Sequence, residues 1–123
     1  MTMDPTILVV DDEADFLSTY RRLLARPGYR IVVAGTVQEA LAALRAESPA
    51  LVVSDLRLPD GDGLEIVRAA RALRTPPPVV VITGFSSDTS RKEAAAAGVA
   101  AYVTKPFSVP ALVQLANELL PAR

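Results

Sequence analysis

The chain of 123 residues contains no histidine, no cysteine and no tryptophan. Without cysteine there is no disulfide framework, no thiol nucleophile and no thiolate metal centre. Without histidine there is no Ser-His-Asp triad, no imidazole general base and no zinc site of the usual Cys/His kind. An excess of one charge is missing too: the net charge is −1, which argues against a general nucleic-acid binder. No apolar run reaches the roughly 18 residues that a membrane span needs. The opening Met1-Thr-Met-Asp4-Pro5 is acidic and lacks the basic stretch and long apolar core of a signal peptide, so the expected location is the cytoplasm. Chemistry is left to carboxylates, hydroxyls, amines, backbone groups or a hard metal ion.

Half of the residues are hydrophobic and 22% are charged. That composition and length fit one soluble globular domain spanning 1–123, long enough to bury a core without staples. Short apolar, β-branched runs recur at wide spacing: Ile7–Val10, Ile31–Val33, Leu51–Val53, Val79–Ile82 and Ala101–Val103. Each is nearly continuous, as in parallel strands covered on both faces.

Stretches of helical period lie between these runs. The first covers Ala14–Ala25, with Phe16, Leu17, Tyr20, Leu23 and Leu24 on one side. The second starts at Thr36, which has capping-box spacing to Glu39, and carries Val37, Ala40, Leu41 and Leu44 on one face. The third begins near Asp62, with Glu65 three residues on. Thr75–Pro78 reads as a stiff loop whose prolines end that helix. The fifth is capped by Ser108 and stopped by Pro121. The fourth, Ser87–Ala97, has only the alanines Ala94–Ala97 to bury. Alanine favours helix but buries little area, so this helix is expected to be well formed and weakly docked.

Strands alternating with helices mean a parallel sheet with right-handed crossovers, covered by helices on both faces. Five such units give a five-stranded, doubly wound α/β sheet, for which 2-1-3-4-5 is an established order. Ligands of open α/β sheets bind beyond the carboxyl ends of the strands. Those ends read Asp11-Asp12-Glu13, Ala34-Gly35, Ser54-Asp55, Thr83-Gly84 and Thr104-Lys105-Pro106. If strand one lies beside strand three, Asp11, Asp12 and Asp55 converge, bordered by Thr83 and Lys105. Clustered carboxylates repel and raise one another's pKa unless an ammonium or a divalent cation stabilises them. Lys105 can be the ammonium, and an all-oxygen site suits Mg²⁺ or Mn²⁺. A carboxylate beside a hard cation, a lysine and a hydroxyl is a plausible phosphoryl acceptor.

At this point the sequence resembles the receiver domain of two-component response regulators. The resemblance rests on Ile7-Leu-Val-Val-Asp11-Asp12-Glu13, Asp55-Leu-Arg-Leu-Pro59-Asp-Gly-Asp-Gly63, Val81-Ile-Thr83-Gly84 and Tyr102-Val-Thr-Lys105-Pro106-Phe107, and covers essentially the whole chain. It implies a flavodoxin-like fold with five helices. It implies that Asp55 accepts a phosphoryl group from a phosphohistidine of a sensor histidine kinase or histidine phosphotransfer protein. Asp12 would be a direct Mg²⁺ ligand and Asp11 a ligand through water. Asp55 and the backbone carbonyl of Arg57 would complete the protein ligands. Lys105 would pair with Asp55 and later with a phosphoryl oxygen. Thr83 would bond the phosphoryl group, and Tyr102 would turn inward as Thr83 vacates space. Pro106 would follow a cis peptide bond that aims Lys105.

Glycines after Asp55 are expected for their backbone freedom. Gly84 is expected to leave the acceptor open, and Phe85 and Arg57 to shield an acyl phosphate from water. The output face would be helix four, strand five and helix five, engaging a protein target or a second copy, with no direct nucleic-acid or membrane contact. The chain is expected to be a signalling domain, not an enzyme, promoting only its own phosphorylation and dephosphorylation. It would be either a stand-alone receiver or one cut from a larger regulator or hybrid kinase. A metal-dependent phosphatase with an Asp nucleophile is the enzyme alternative, but the position it needs for an acid/base Asp holds Arg57. A flavodoxin-like nucleotide binder would want a phosphate loop where this chain has Asp11-Asp12-Glu13.

Overall fold

The computed structural model describes residues 5–24, 29–105 and 109–120. Among them, five parallel strands alternate with five helices: β1 (Thr6–Val10), α1 (Ala14–Leu24), β2 (Arg30–Ala34), α2 (Val37–Glu47), β3 (Leu51–Asp55), α3 (Gly63–Arg71), β4 (Val79–Thr83), α4 (Asp88–Ala97), β5 (Ala101–Thr104) and α5 (Val109–Leu119). The sheet order is β2-β1-β3-β4-β5, all parallel, which is the expected flavodoxin-like order. The expected features at Ala25, Pro106, Phe107, Ser108 and Pro121, and the side chains of Leu23 and Leu24, lie outside the described residues.

Alternate residues of each strand point to opposite faces, and this divides the core in two. Leu8, Val10, Val52, Val79 and Val81 pack with Val37, Ala40 and Leu44 of α2, Leu64, Ile66, Val67 and Ala70 of α3, and Ala94 of α4. Ile7, Val9, Leu51, Val53, Val80 and Ile82 pack with Tyr20 of α1 and Leu112 and Ala116 of α5. Helices therefore cover both faces, and β1, β3 and β4 are buried, which explains their unbroken apolar sequences.

Helix starts follow the capping chemistry, with one shift. Asp62 and Glu65 form the full capping box of α3. Thr36 accepts the Glu39 amide at 3.0 Å, but the Glu39 carboxylate bonds the amide of Gly35, one residue before the cap. Asp60 supplies what the local sequence did not reveal: its two oxygens accept the amides of Val37 at 2.7 Å and Gln38 at 3.0 Å. Helix α4 has its own box, Ser87 with Ser90, and ends on Gly98 at φ 94°. Ala94 is its only fully buried residue, so the expectation of a well-formed, lightly packed helix holds.

Two expectations are corrected. Helix α3 ends at Arg71, where the amide of the capping Ala72 bonds the carbonyls of Arg68 and Ala69, well before the prolines. Pro78 instead adds one bond to the ladder between β3 and β4, its carbonyl accepting the Val52 amide at 3.0 Å. Between β3 and α3, the expected loop contains a two-residue antiparallel ladder, Arg57–Leu58 with Gly61–Asp62.

Candidate functional site

The parallel register places Val10 opposite Ser54 and Asp55 opposite Ile82. Asp11, Asp55 and Thr83 therefore leave three adjacent strands at one edge of the sheet. Lys105 follows β5 directly, and its amide bonds the Thr83 carbonyl at 2.8 Å. The adjacency of strands one and three, the condition for convergence, is met.

Lys105 Nζ stands 3.1 Å from Asp55 Oδ2 and 3.2 Å from Asp11 Oδ2. Asp11 is fully buried, and its Oδ1 accepts the Glu13 amide at 3.0 Å. Burial pushes the Asp11 carboxyl above its ordinary value. The Glu13 amide and the Lys105 charge oppose this, while the Asp55 charge adds to it. Burial would lower Lys105, but its hydrogen bond to Asp55 and the charges of Asp11 and Asp55 outweigh that and raise it. The pair is thus a buried acid clamped by an ammonium that stays charged.

Asp55 is partly open, and its Oδ1 accepts the Arg57 amide at 3.3 Å. Asp12 is exposed. Asp11, Asp12 and Asp55 each offer a carboxylate oxygen, and these lie within 4.8 Å of one another. This donor set is all hard oxygen, partly buried and partly open to water, so it fits Mg²⁺ or Mn²⁺ and not a soft metal.

Thr83 is fully buried, with its Oγ1 accepting the Phe85 amide at 3.0 Å. Tyr102 lies on β5 opposite Val81. Its hydroxyl meets Ser90 Oγ at 2.6 Å, and the Arg91 guanidinium sits 4.6 Å from its ring centroid. Burial would raise the Tyr102 phenol, but hydrogen bonds from Ser86 and Ser90 and the Arg91 charge bring it below its ordinary value. Arg57 projects over the ring of Phe85 at 4.7 Å, and Phe85 is 66% exposed.

One glycine expectation changes. Gly63 does not occupy a positive φ; among the described residues only Gly98 and Ser48 do. Gly63 is needed for space, because a Cβ there would overlap the Asp55 carbonyl. At Gly84 a Cβ would make only ordinary contact with the Lys105 side chain, at 3.9 Å. Three partners went unread in the sequence. Ser90 and Asp60 carried no sequence signal that set them apart, and Phe16 read only as one of the apolar residues of the first helix.

This edge gathers acidic side chains and a lysine at the carboxyl ends of a doubly wound sheet, where open α/β folds bind their ligands. The family model of the response regulator receiver domain matches residues 7–117. The chain is 37% identical over 103 residues to the photosynthetic apparatus regulatory protein RegA of Rhodobacter capsulatus, covering 84% of this chain and 56% of that protein. It is 35% identical over 119 residues to the transcriptional regulatory protein PrrA of Mycobacterium tuberculosis, covering 97% and 51%. The chain thus spans about half the length of these curated relatives. Among structures, it resembles a CheY-like response regulator receiver domain protein from Methanospirillum hungatei, with a TM-score of 0.86 and 32% identity, covering 93% of this chain and 91% of that one. The chain belongs to the response regulator receiver domain family.

Proposed function

We propose that this receiver accepts a phosphoryl group on Asp55 from a phosphohistidine of a sensor histidine kinase or histidine phosphotransfer protein. The observation that carries the reading is the Lys105 ammonium bridging Asp55 and Asp11. A carboxylate oxygen of Asp55 forms a bond to phosphorus as the donor's P–N bond breaks. The electron pair returns to the imidazole nitrogen, which is protonated, and Asp55 becomes an acyl phosphate. Attack by water on phosphorus later releases inorganic phosphate and restores the carboxylate.

Asp11, Asp12, Asp55 and the Arg57 carbonyl would hold Mg²⁺, or Mn²⁺ in its place. When bound, that ion supplies positive charge against the transferring oxygens. Lys105 adds a fixed charge, and Thr83 donates a hydrogen bond once its side chain turns toward the phosphoryl group. Phosphorylation adds about −1.5 to −2 charge. Drawing Thr83 toward that charge pulls the loop into α4, which is lightly packed, and Tyr102 turns inward. The output face is then α4, β5 and α5. This face takes a downstream protein or a second copy of the chain. The whole domain, 1–123, works in the cytoplasm without nucleic-acid or membrane contact, and its only reactions are on itself. The length of RegA and PrrA favours a second arrangement, in which the same receiver is one part of a longer regulator.

The test is intact-mass analysis after incubation with Mg²⁺ and acetyl phosphate. One added phosphate is expected, absent in Asp55→Asn. No adduct, or one that persists in Asp55→Asn, defeats the reading.

A further inference from the structure

The Lys105 ammonium has a third neighbour besides its two carboxylates. It sits 4.0 Å from the centroid of the Phe16 ring. Phe16 lies on α1, and its ring stacks on Tyr20 one turn later, with centroids 6.1 Å apart and planes at 27°. Tyr20 is 1% exposed and belongs to the core beneath β1 and β3. Burial, followed by the charges of Asp11, Asp55 and Glu13, pushes its phenol well above the ordinary value, so the ring stays neutral. Phe16 is therefore braced from below by a buried, uncharged aromatic and presents its face to an ammonium.

A lysine has three donors on a flexible stem. At this site two carboxylates fix only part of its orientation, because each oxygen can be reached from a range of stem rotamers. The face of an aromatic ring attracts a cation through its quadrupole and displaces water from that side. With Phe16 beside it, Nζ has a third attraction in addition to those of Asp55 and Asp11.

We propose that Phe16 is a positioning residue for phosphoryl transfer, acting through Lys105 by cation–π attraction. The inference rests on the reading of Asp55 as phosphoacceptor. The aromatic face keeps the ammonium within reach of Asp55, where charge accumulates on the transferring oxygens. An aliphatic residue of similar bulk fills the same space but lacks the attraction.

The experiment uses a small donor, acetyl phosphate with Mg²⁺, so that docking of a partner protein cannot enter. Phosphorylation rates are compared for wild type, Phe16→Leu, Phe16→Tyr, and chains carrying monofluoro-, difluoro- or trifluorophenylalanine at position 16. Fluorination weakens the ring quadrupole with little change of shape, so a purely structural role predicts a flat series. The expectation is a stepwise fall with fluorination. Phe16→Leu should be about three- to tenfold slow, from the attraction a partly desolvated cation–π pair provides, and Phe16→Tyr close to wild type. Ring-current shifts of the Lys105 ε-methylene protons should be present in wild type and lost in Phe16→Leu. Equal rates across the fluorinated series overturn the inference while leaving the acceptor reading intact. Failure of the wild type to form an Asp55-dependent adduct defeats both.

Discussion

The hydroxyls of Tyr102 and Ser90 meet at 2.6 Å, joining β5 to the first turn of α4. Ser90 also closes the capping box of that helix with Ser87. One side chain thus serves both the local start of α4 and its attachment to the sheet. Because Ala94 is the only fully buried residue of α4, this polar contact carries a large share of the docking. A net hydrogen bond contributes about 0.5–1.5 kcal/mol. Ser90→Ala should therefore speed amide exchange across α4 by about two- to tenfold in the unphosphorylated protein, with little change in α2. It should also move the Tyr102 phenol upward, since the Ser90 hydrogen bond lowers it. Exchange unchanged in α4 would show that the alanines dock the helix unaided.

Gly98, which ends α4, and Gly63, which begins α3, should respond differently to alanine. At Gly98 the φ of 94° disfavours any side chain, and a Cβ would lie 3.0 Å from the Arg71 guanidinium. Gly98→Ala should cost about 1–2 kcal/mol, read as a lower denaturation midpoint, with phosphorylation of the folded protein preserved. At Gly63 a Cβ would overlap backbone of Asp55. Gly63→Ala should lower stability by about 1–3 kcal/mol and also slow phosphorylation, because relief of the overlap displaces Asp55. Equal phosphorylation rates in the two variants would contradict this.

Asp60 gives the fold an acid-sensitive joint. The amides of Val37 and then Gln38 lower its carboxyl below the ordinary range. A carboxylate with a depressed folded pKa adds stability above its unfolded value near ~3.9, and that stability is lost as pH falls through the lower folded value. Asp60→Ala should lower the melting temperature at pH 7, and the gap from wild type should close toward pH 2–3. The same contact ties the loop after Asp55 to the start of α2, so α2 amides should exchange faster in the variant.

Asp11 works in the opposite sense. It is a fully buried carboxylate whose folded form resists ionisation, mainly through burial. Asp11→Asn removes that cost while keeping the Glu13 contact, so the metal-free protein should gain stability. A bound cation reverses the comparison. Mg²⁺ at a hundredfold excess over its Kd should stabilise wild type by about 2.7 kcal/mol and Asp11→Asn by far less. Thermal melts with and without Mg²⁺ check both signs, and equal Mg²⁺ responses would place the ion elsewhere.

The strand ends were legible because a buried parallel strand is mostly apolar until it leaves the sheet, so the polar residues at its carboxyl end mark the site edge. That logic located Asp11, Asp55 and Thr83. It could not show that Phe16 turns toward Lys105, since an apolar residue at helical spacing reads as core whichever neighbour it meets. Nor could it pair Asp60 with α2, 23 residues earlier, because a long-range cap leaves no local pattern. Gly63 was recognised as a glycine position for the wrong reason. Close approach to a carbonyl and a positive φ select the same residue, and only geometry separates them.

Arg57 and Phe85 stand two residues beyond Asp55 and Thr83, and the guanidinium covers the ring at 4.7 Å. Left alone, a phenyl group 66% exposed would be free to swing into solvent. The stacking restrains it, at a strength of about 0.5–1 kcal/mol for an exposed pair. An acyl phosphate is lost by in-line attack of water on phosphorus, so a bulky pair on that approach should lengthen its lifetime. Arg57→Asn frees the ring, and Phe85→Glu replaces it with a carboxylate that can orient water. Each change should speed dephosphorylation by about three- to tenfold, and the double variant should show less than the product, since either change breaks the stack. Decay of the phosphorylated mass after removal of donor measures this directly. Unaltered decay in both single variants would remove the shielding role from this pair.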